Sequence, residues 1–451
     1  MENSDKKFKF IFERLLELEK SKNLYFLSFN DVYFYKLLRF ELYHKLLKKN
    51  NLINDYQKTF KVRLKEKINI IKIIIFNFLK DIFYKEIENC EIYIVDHDRF
   101  FIRNSKLEGI YTFKLIEQIE KEKRTYEIEY PLGTPLKNKK KSHKKEGLLF
   151  LFKLFLIQIK KISLQDKKLL TELLKELGEY KIEIEIKKLY IIIKKFKLKK
   201  EYYKKYFKQK KVKKVYMICS YGKEYIIAAA QELGIEVIEI QHGNFSKYHL
   251  GYNFQKEKVP YVPDKILTFS KYWNKKISDY LPINMKCEIY GYPYVKEQIE
   301  RYKTNRKKQI VFISQMTIAQ LLIRKAIEFA IKNPNIEVIY RFHPTEAESW
   351  ETLYPVILQY KNLNNFKLSF KNNLYEILCE SEYLIGGYST VIYEALEAEV
   401  KVGVIKTYGF EYMKDLVEEN LVYAFEEEEE IKIEKLEFLS KKESGYFFNN
   451  V

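Results

Sequence analysis

A chain of 451 residues, 47% of them hydrophobic, is long enough for two or three packed domains and too apolar to be disordered. Its 82 basic against 62 acidic residues leave a net charge of +20, which points to an anionic partner: nucleic acid, an anionic membrane or a phosphorylated substrate. The four cysteines (Cys90, Cys219, Cys287 and Cys379) are far apart, which argues against a disulfide framework or zinc site and fits a reducing cytoplasm.

The N-terminus, MENSDKKFKF, has no apolar signal segment. Residues 1–84 show helical spacing of apolar residues and are expected to form a helical N-terminal extension. No apolar run reaches the roughly 18 residues of a spanning helix. The nearest, 68–84 and 147–162, are both interrupted by lysine. The second follows KNKKKSHKK at 137–145, so it fits either a core helix or an interfacial helix on an anionic membrane.

EIYIVDH at 91–97 reads as a strand, and Asp96, His97 and Asp98 end it. A helix follows at 113–123, then a lysine-rich helical insertion at about 137–210. From 213 the pattern is regular: strands at 214–220, 235–240, 265–270 and 287–291, with a helix at 223–234. RYKTNRKK at 301–308 reads as a linker. A second series has strands at 309–314, 336–342, 383–387 and 401–405, and helices at 318–332, 374–381 and 391–399. The alternation predicts an α/β protein with two Rossmann-like domains facing across a cleft. The expected division is an N-terminal domain over 85–300, a C-terminal domain over 309–425 and an acidic tail over 426–451.

Ligands of open α/β sheets bind outside the carboxyl ends of the strands. Four such ends carry chemistry. Gly386-Gly387-Tyr388-Ser389-Thr390 precedes a helix, where free N–H groups, close backbone approach and hydroxyls suit a phosphate. The same hydroxyls also serve as an N-cap, and both roles stay open. His343 follows a strand and is stiffened by Pro344, with Arg341 two residues earlier. Both can donate to phosphate oxygens, and a structural turn histidine is the alternative. In Gln241-His242-Gly243, a tight turn at Gly243 would hold His242 at the sheet edge as a base, a substrate contact or a turn stabiliser. Ser220-Tyr221-Gly222-Lys223 is the fourth such end, and His249 with Tyr252 extends the His242 loop over the cleft.

The order SYG, IQHG, GYPY, RFHP and GGYSTVIYEAL over roughly 213–425 resembles bacterial surface-polysaccharide glycosyltransferases of GT-B fold, the capsule-biosynthesis group above all. More distantly it is similar to CDP-glycerol glycerophosphotransferases, bacterial sialyltransferases and UDP-GlcNAc 2-epimerases. The resemblance implies that His343, Ser389 and Thr390, with Arg341 and Gly387, bind the donor phosphate. It implies that Glu394 holds the ribose. It places His242 as the catalytic candidate, with Gln241, Gly243, Tyr221 and Tyr252 on the acceptor or sugar side. It implies no cofactor beyond the nucleotide-sugar co-substrate, a CMP- or UDP-sugar. No Asp-x-Asp ends a strand in the motif-bearing half, so no metal is expected. The expected acceptor is a glycan or lipid-linked glycan of capsule, lipopolysaccharide or lipooligosaccharide, handled in the cytoplasm at the inner membrane face. An epimerase of the same fold and a non-catalytic member of a glycan-assembly complex are the alternatives. A nucleic-acid partner is not expected, since no RRM, KH or helix-turn-helix signature is present.

Overall fold

The computed structural model describes residues 2–52, 89–103, 106–131, 148–180, 184–360, 362–370, 373–407 and 409–449. The apolar run at 68–84 and the basic run at 137–145 lie outside the described residues. Two helices, Glu2–Ser21 and Tyr35–Lys49, open the chain, joined through a small antiparallel ribbon of β1 (Ser28–Phe29) and β2 (Val32–Tyr33). Their apolar stripes bury Phe12, Leu15, Leu38 and Leu42 in one core with the first large sheet.

That sheet contains β3 (Ile92–Val95), then β6 (Tyr126–Glu129), β7 (Lys214–Ile218), β8 (Glu236–Ile240), β9 (Lys265–Thr268) and β10 (Lys286–Ile289). A separate antiparallel hairpin, β4 (Phe100–Arg103) and β5 (Lys106–Gly109), follows β3. The strand order is β10-β9-β8-β7-β3-β6, parallel throughout. Continuous apolar runs such as IYIV in β3 are buried on both faces, as a helix-covered parallel sheet requires. Three helices of the lysine-rich segment, Leu148–Ile159, Leu164–Leu174 and Ile186–Lys210, lie between β6 and β7.

The second sheet holds β11 (Lys307–Ile313), β12 (Glu337–Arg341), β13 (Phe366–Ser369), β14 (Ser381–Gly386), β15 (Lys401–Ile405) and β16 (Val422–Phe425). Its order is β13-β12-β11-β14-β15-β16, again all parallel. In chain rank this is 3-2-1-4-5-6, the doubly wound order, and the first sheet reads 2-1-3-4-5-6. The two Rossmann-like lobes expected from the sequence are therefore present.

The linker expected at 301–308 is much shorter. Helix Pro293–Tyr302 runs through its start and β11 begins at Lys307, leaving four connecting residues, 303–306. Lys307 and Lys308 are the exposed beginning of a strand whose next five residues are buried. Residues 426–451, read as an acidic tail, fold back where they are described. Glu426, Glu429 and Glu430 pair with Lys406, Lys435 and Lys332. The chain then crosses to the first lobe. Trp273 Nε1 donates to the Phe447 carbonyl at 2.7 Å, and Tyr292 N donates to the Asn449 carbonyl at 2.8 Å. Phe447 and Phe448 are buried there.

A second bond between lobes lies at Lys276, on helix Lys271–Ser278. Its ammonium reaches Asp415 at 2.8 Å and Tyr393 Oη at 2.9 Å, both from the second lobe.

Candidate functional site

Chain order reverses between β3 and β7 in the first sheet and between β11 and β14 in the second. At such a point adjacent crossovers leave on opposite faces and open a crevice at the strand ends. The loops there are Asp96-His97 and Ser220-Tyr221 in one lobe, and Ser314-Gln315 and Gly387-Tyr388-Ser389 in the other. The loop after β8, carrying His242, meets the loop after β14 directly. Asn244 N donates to Thr390 Oγ1 at 3.3 Å, and Asn244 Nδ2 donates to the Tyr388 carbonyl at 3.1 Å.

His242 is held by tyrosines on both ring nitrogens. Tyr252 Oη donates to Glu239 Oε1 at 2.5 Å, so towards His242 Nδ1, 3.3 Å away, it can only accept. Nδ1 therefore carries the proton, and Nε2 accepts from Tyr221 Oη at 3.1 Å. The resulting line is Tyr221, His242, Tyr252, Glu239. Glu239 is fully buried at the end of β8, and its Oε1 also accepts from Ser220 N at 3.0 Å. Burial above all, with the Lys223 and Arg99 charges and the neighbouring His249 and His97 rings, pushes the His242 imidazole down to about 3, so it is neutral at pH 7. The Tyr111 hydroxyl fixes the His242 carbonyl at 2.7 Å, and the His97 ring stacks at 6.0 Å.

Of the neighbours expected on the acceptor side, Tyr252 and Gln241 are turned inward. Tyr252 is buried and positions His242. Gln241 is fully buried, accepting from Phe269 N and donating to the Gly243 carbonyl, each at 2.8 Å, so it shapes the loop. Gly243 does not adopt a left-handed backbone, and an added Cβ would meet Thr390 Oγ1 at an ordinary 3.6 Å. The turn does not require glycine there. Tyr221 is half-buried, with its ring 5.1 Å from Phe40 of the N-terminal helices.

In the second lobe Ser389 is the N-cap of helix Thr390–Glu397, accepting from Val391 N at 3.3 Å. Packing requires glycine at 387: a Cβ would lie 2.5 Å from Ile318 Cδ1 and 2.7 Å from Gln315 Oε1. Gln315 Oε1 also accepts from Tyr388 N at 3.0 Å, which ties the two switch-point loops together. His343 is exposed. Its Nδ1 lies 2.8 Å from Thr345 Oγ1 and accepts from Thr345 N at 3.3 Å. That assigns the proton to Nε2 and leaves an outward donor for an anion. Partial desolvation of the ring lowers the His343 pKa, opposed by the Glu346 charge, and Arg99 lowers it too. Arg341 is two strands from Ser389, its guanidinium held at 3.1 Å by Ser369 Oγ of β13.

Glu394, one turn into the helix that Ser389 caps, is buried. Desolvation pushes its carboxyl up to about 7, opposed by Arg99 and a hydrogen bond from Tyr375. Arg99 comes from the first lobe, just past β3, and hydrogen-bonds Tyr111 Oη at 3.3 Å. Its charge is felt by His97, His242, His343 and Glu394, which places it between the lobes. Sequence reading did not single out Arg99, Gln315 or Asn244. Only the first had a visible signal, as a cation three residues past a chemically rich strand end. Replacing Arg99 with glutamine is expected to weaken binding of an anionic ligand in this crevice roughly tenfold to a hundredfold, since the cation between the lobes is lost. Isothermal titration with nucleoside diphosphates checks this, and unchanged affinity would remove Arg99 from the site.

Asp96 is buried beneath the same crevice. Desolvation pushes its carboxyl up to about 6, against hydrogen bonds from His97 N and Thr112 Oγ1. Among the described residues no group of three or more His, Cys, Asp or Glu side chains is arranged to hold a metal ion.

No family model matches the chain, and no curated protein matches it. Among solved structures it is similar to UDP-GlcNAc 2-epimerase of Methanocaldococcus jannaschii, solved with UDP-GlcNAc and UDP. That likeness has 12% identity, covers 79% of this chain and 95% of that one, and has a TM-score of 0.45. MurG of Acinetobacter baumannii is similar at 12% identity, over 75% of this chain and 86% of its own, with a TM-score of 0.42. The spinosyn rhamnosyltransferase SpnG is similar at 10% identity, over 74% of this chain and 86% of its own, with a TM-score of 0.38. Likeness at this level leaves substrate and activity open.

Proposed function

We propose that this protein is a glycosyltransferase that moves a sugar from a CMP- or UDP-activated donor to a capsule, lipopolysaccharide or lipooligosaccharide glycan. The observation that carries the reading is the meeting of the His242 loop with the Ser389-Thr390 loop across the two lobes. A donor spanning that junction would set its phosphates against Arg99, His343 Nε2–H and the start of the Thr390 helix. Its ribose would lie by Glu394. The acceptor hydroxyl attacks the anomeric carbon, the carbon–oxygen bond to phosphate breaks, and the nucleotide leaves with the electron pair. Arg99, His343 and the helix N-terminus stabilise the charge that builds on it. The acceptor proton passes to Tyr221 Oη as that hydroxyl gives its own to His242 Nε2. The imidazolium formed keeps Nδ1–H on Tyr252, which Glu239 holds.

Burial is the main cause of the low His242 pKa; of the charges that add to it, Arg99 is the one a donor phosphate would offset, so donor binding raises His242 part of the way back.

The test is thermal unfolding of wild type and His343→Ala with CMP, CDP, UDP, GDP and their sugar conjugates. A ligand at about 100 times its dissociation constant stabilises by about 2.7 kcal/mol. The expected result is a rise in melting temperature with one nucleotide class, lost in the variant. No rise with any of them, in a folded protein, would overturn the reading. Incubation with the matching donor alone separates it from an epimerase, which would convert that donor without an acceptor.

A further inference from the structure

Helix Leu148–Ile159 has the sequence LLFLFKLFLIQI, with Lys153 its only charge. One face is packed: Phe150 is buried, its ring 4.9 Å from Tyr202 of helix Ile186–Lys210. Leu154 and Ile157 share that side by helical spacing, and both are partly buried. The other face is bare. Phe152, Phe155, Leu156 and Ile159 are 54%, 55%, 41% and 61% exposed. Their spacing of three, four and seven residues from Phe152 makes one continuous stripe. Leu164, which starts the next helix, is 87% exposed. Single exposed apolar residues are ordinary, but a stripe of them marks a docking surface.

The charge around the stripe identifies the occupant. Residues 148–211 contain 19 lysines and seven acidic residues, which is most of the chain's excess charge. Lys153 and Lys160 border the stripe, and Lys161, Lys167 and Lys168 are exposed beyond it. We propose that this face docks on an anionic lipid bilayer, with the stripe in the boundary between headgroups and acyl chains and the lysines on the lipid phosphates. Lysine suits that place because its stem lies on apolar surface while its ammonium reaches the headgroups. A second copy is a poor occupant, because a two-fold contact would press two strongly basic surfaces together. Among the described residues no helix is long and apolar enough to cross a membrane. The docking is therefore peripheral. It does not depend on the donor-site reading, and its test needs no substrate.

The experiment is co-sedimentation of the full chain with phosphatidylcholine vesicles, with and without about one part in three phosphatidylglycerol. The expected result is binding to the anionic vesicles only. Binding should fall steeply when salt rises from about 0.05 to about 0.5 M, which shortens the screening length about threefold. The double substitution Phe155→Ser and Ile159→Ser should weaken binding about tenfold or more, as buried apolar area is lost. Lys160→Gln and Lys161→Gln should each weaken it about fivefold. All four side chains are exposed, so the melting temperature of each variant should match wild type. Failure to bind anionic vesicles would overturn the proposal. So would equal binding to neutral ones, binding that ignores the Phe155→Ser/Ile159→Ser change, or a dimer that this change abolishes.

Discussion

Arg39→Met is expected to destabilise the protein by about 3–5 kcal/mol, because it strands a carboxylate that has no access to water. Arg39 and Glu19 are 1% and 2% exposed. The guanidinium grips the carboxylate twice, Nε to Oε1 at 2.6 Å and Nη2 to Oε2 at 2.8 Å. Tyr25 and Tyr35 each donate to Glu19 at 2.7 Å, while Arg39 also donates to the carbonyls of Leu250 and Asn253. Those carbonyls belong to the loop that carries Tyr252, the residue holding His242. The pair therefore joins the N-terminal helices to the candidate site. Urea unfolding is the measurement. The double variant Glu19→Leu/Arg39→Met should recover part of the loss but not all, since Tyr25, Tyr35 and the carbonyls of Leu250 and Asn253 each lose a hydrogen bond. A single variant within about 0.5 kcal/mol of wild type would show that the pair is not holding the helices in place.

His242→Asn is expected to lower kcat about a hundredfold to ten-thousandfold, the span of general base catalysis, while leaving the nucleotide-induced rise in melting temperature intact. The pH profile distinguishes a base from a positioning residue. A base works only when deprotonated, so activity falls as pH drops through its pKa. In the free protein His242 is depressed to about 3 by burial and neighbouring positive charge. The bound donor cancels part of that charge and raises the value. The acid limb of kcat, which reports the loaded enzyme, should therefore lie at higher pH than the limb of kcat/KM. Coincident limbs, or a variant with full kcat, would remove His242 from the proton path. Tyr221→Phe should reproduce much of the kcat loss if the proton reaches His242 through that hydroxyl.

The strands with continuous apolar runs were legible in the sequence, because a parallel sheet covered on both faces leaves them no alternative. The strands that escaped notice are short and mixed. Phe366–Ser369, Val422–Phe425 and Tyr126–Glu129 are four residues each, and all are edge strands of their sheets. The β4–β5 hairpin has charged residues on both arms and no Asn-Gly or Asp-Gly turn signal. Lysines at 307 and 308 read as a linker because a strand's exposed first residues follow solvent, not the core.

Within the site, the positions of His242, His343 and Ser389 were legible because they follow strands or cap a helix, whereas Glu394 came from the resemblance alone. The division of labour among their neighbours was not. Gln241 and Tyr252 look like contact residues in a linear motif, yet both turn inward once Glu239 and Phe269 are in place. That Gly387 is also required by the packing of Ile318 and Gln315 against it is not visible in the motif. Arg99 stood visibly near a strand end, but its relation to Glu394 exists only when the two lobes lie side by side.

The return of residues 447–449 to Trp273 and Tyr292 has a consequence for the order of folding. Trp273 waits for a carbonyl 174 positions later in the chain. During synthesis the whole second lobe emerges before that partner does. At about 5–20 residues per second the first lobe spends roughly ten to thirty seconds without its final cover. Phe269, Tyr272 and Tyr292, against which Phe447 and Phe448 pack, form an apolar surface open to chaperones or to aggregation over that interval. Closing so long a loop is also slow, so docking of this last segment is expected to be a late step in refolding of the chain.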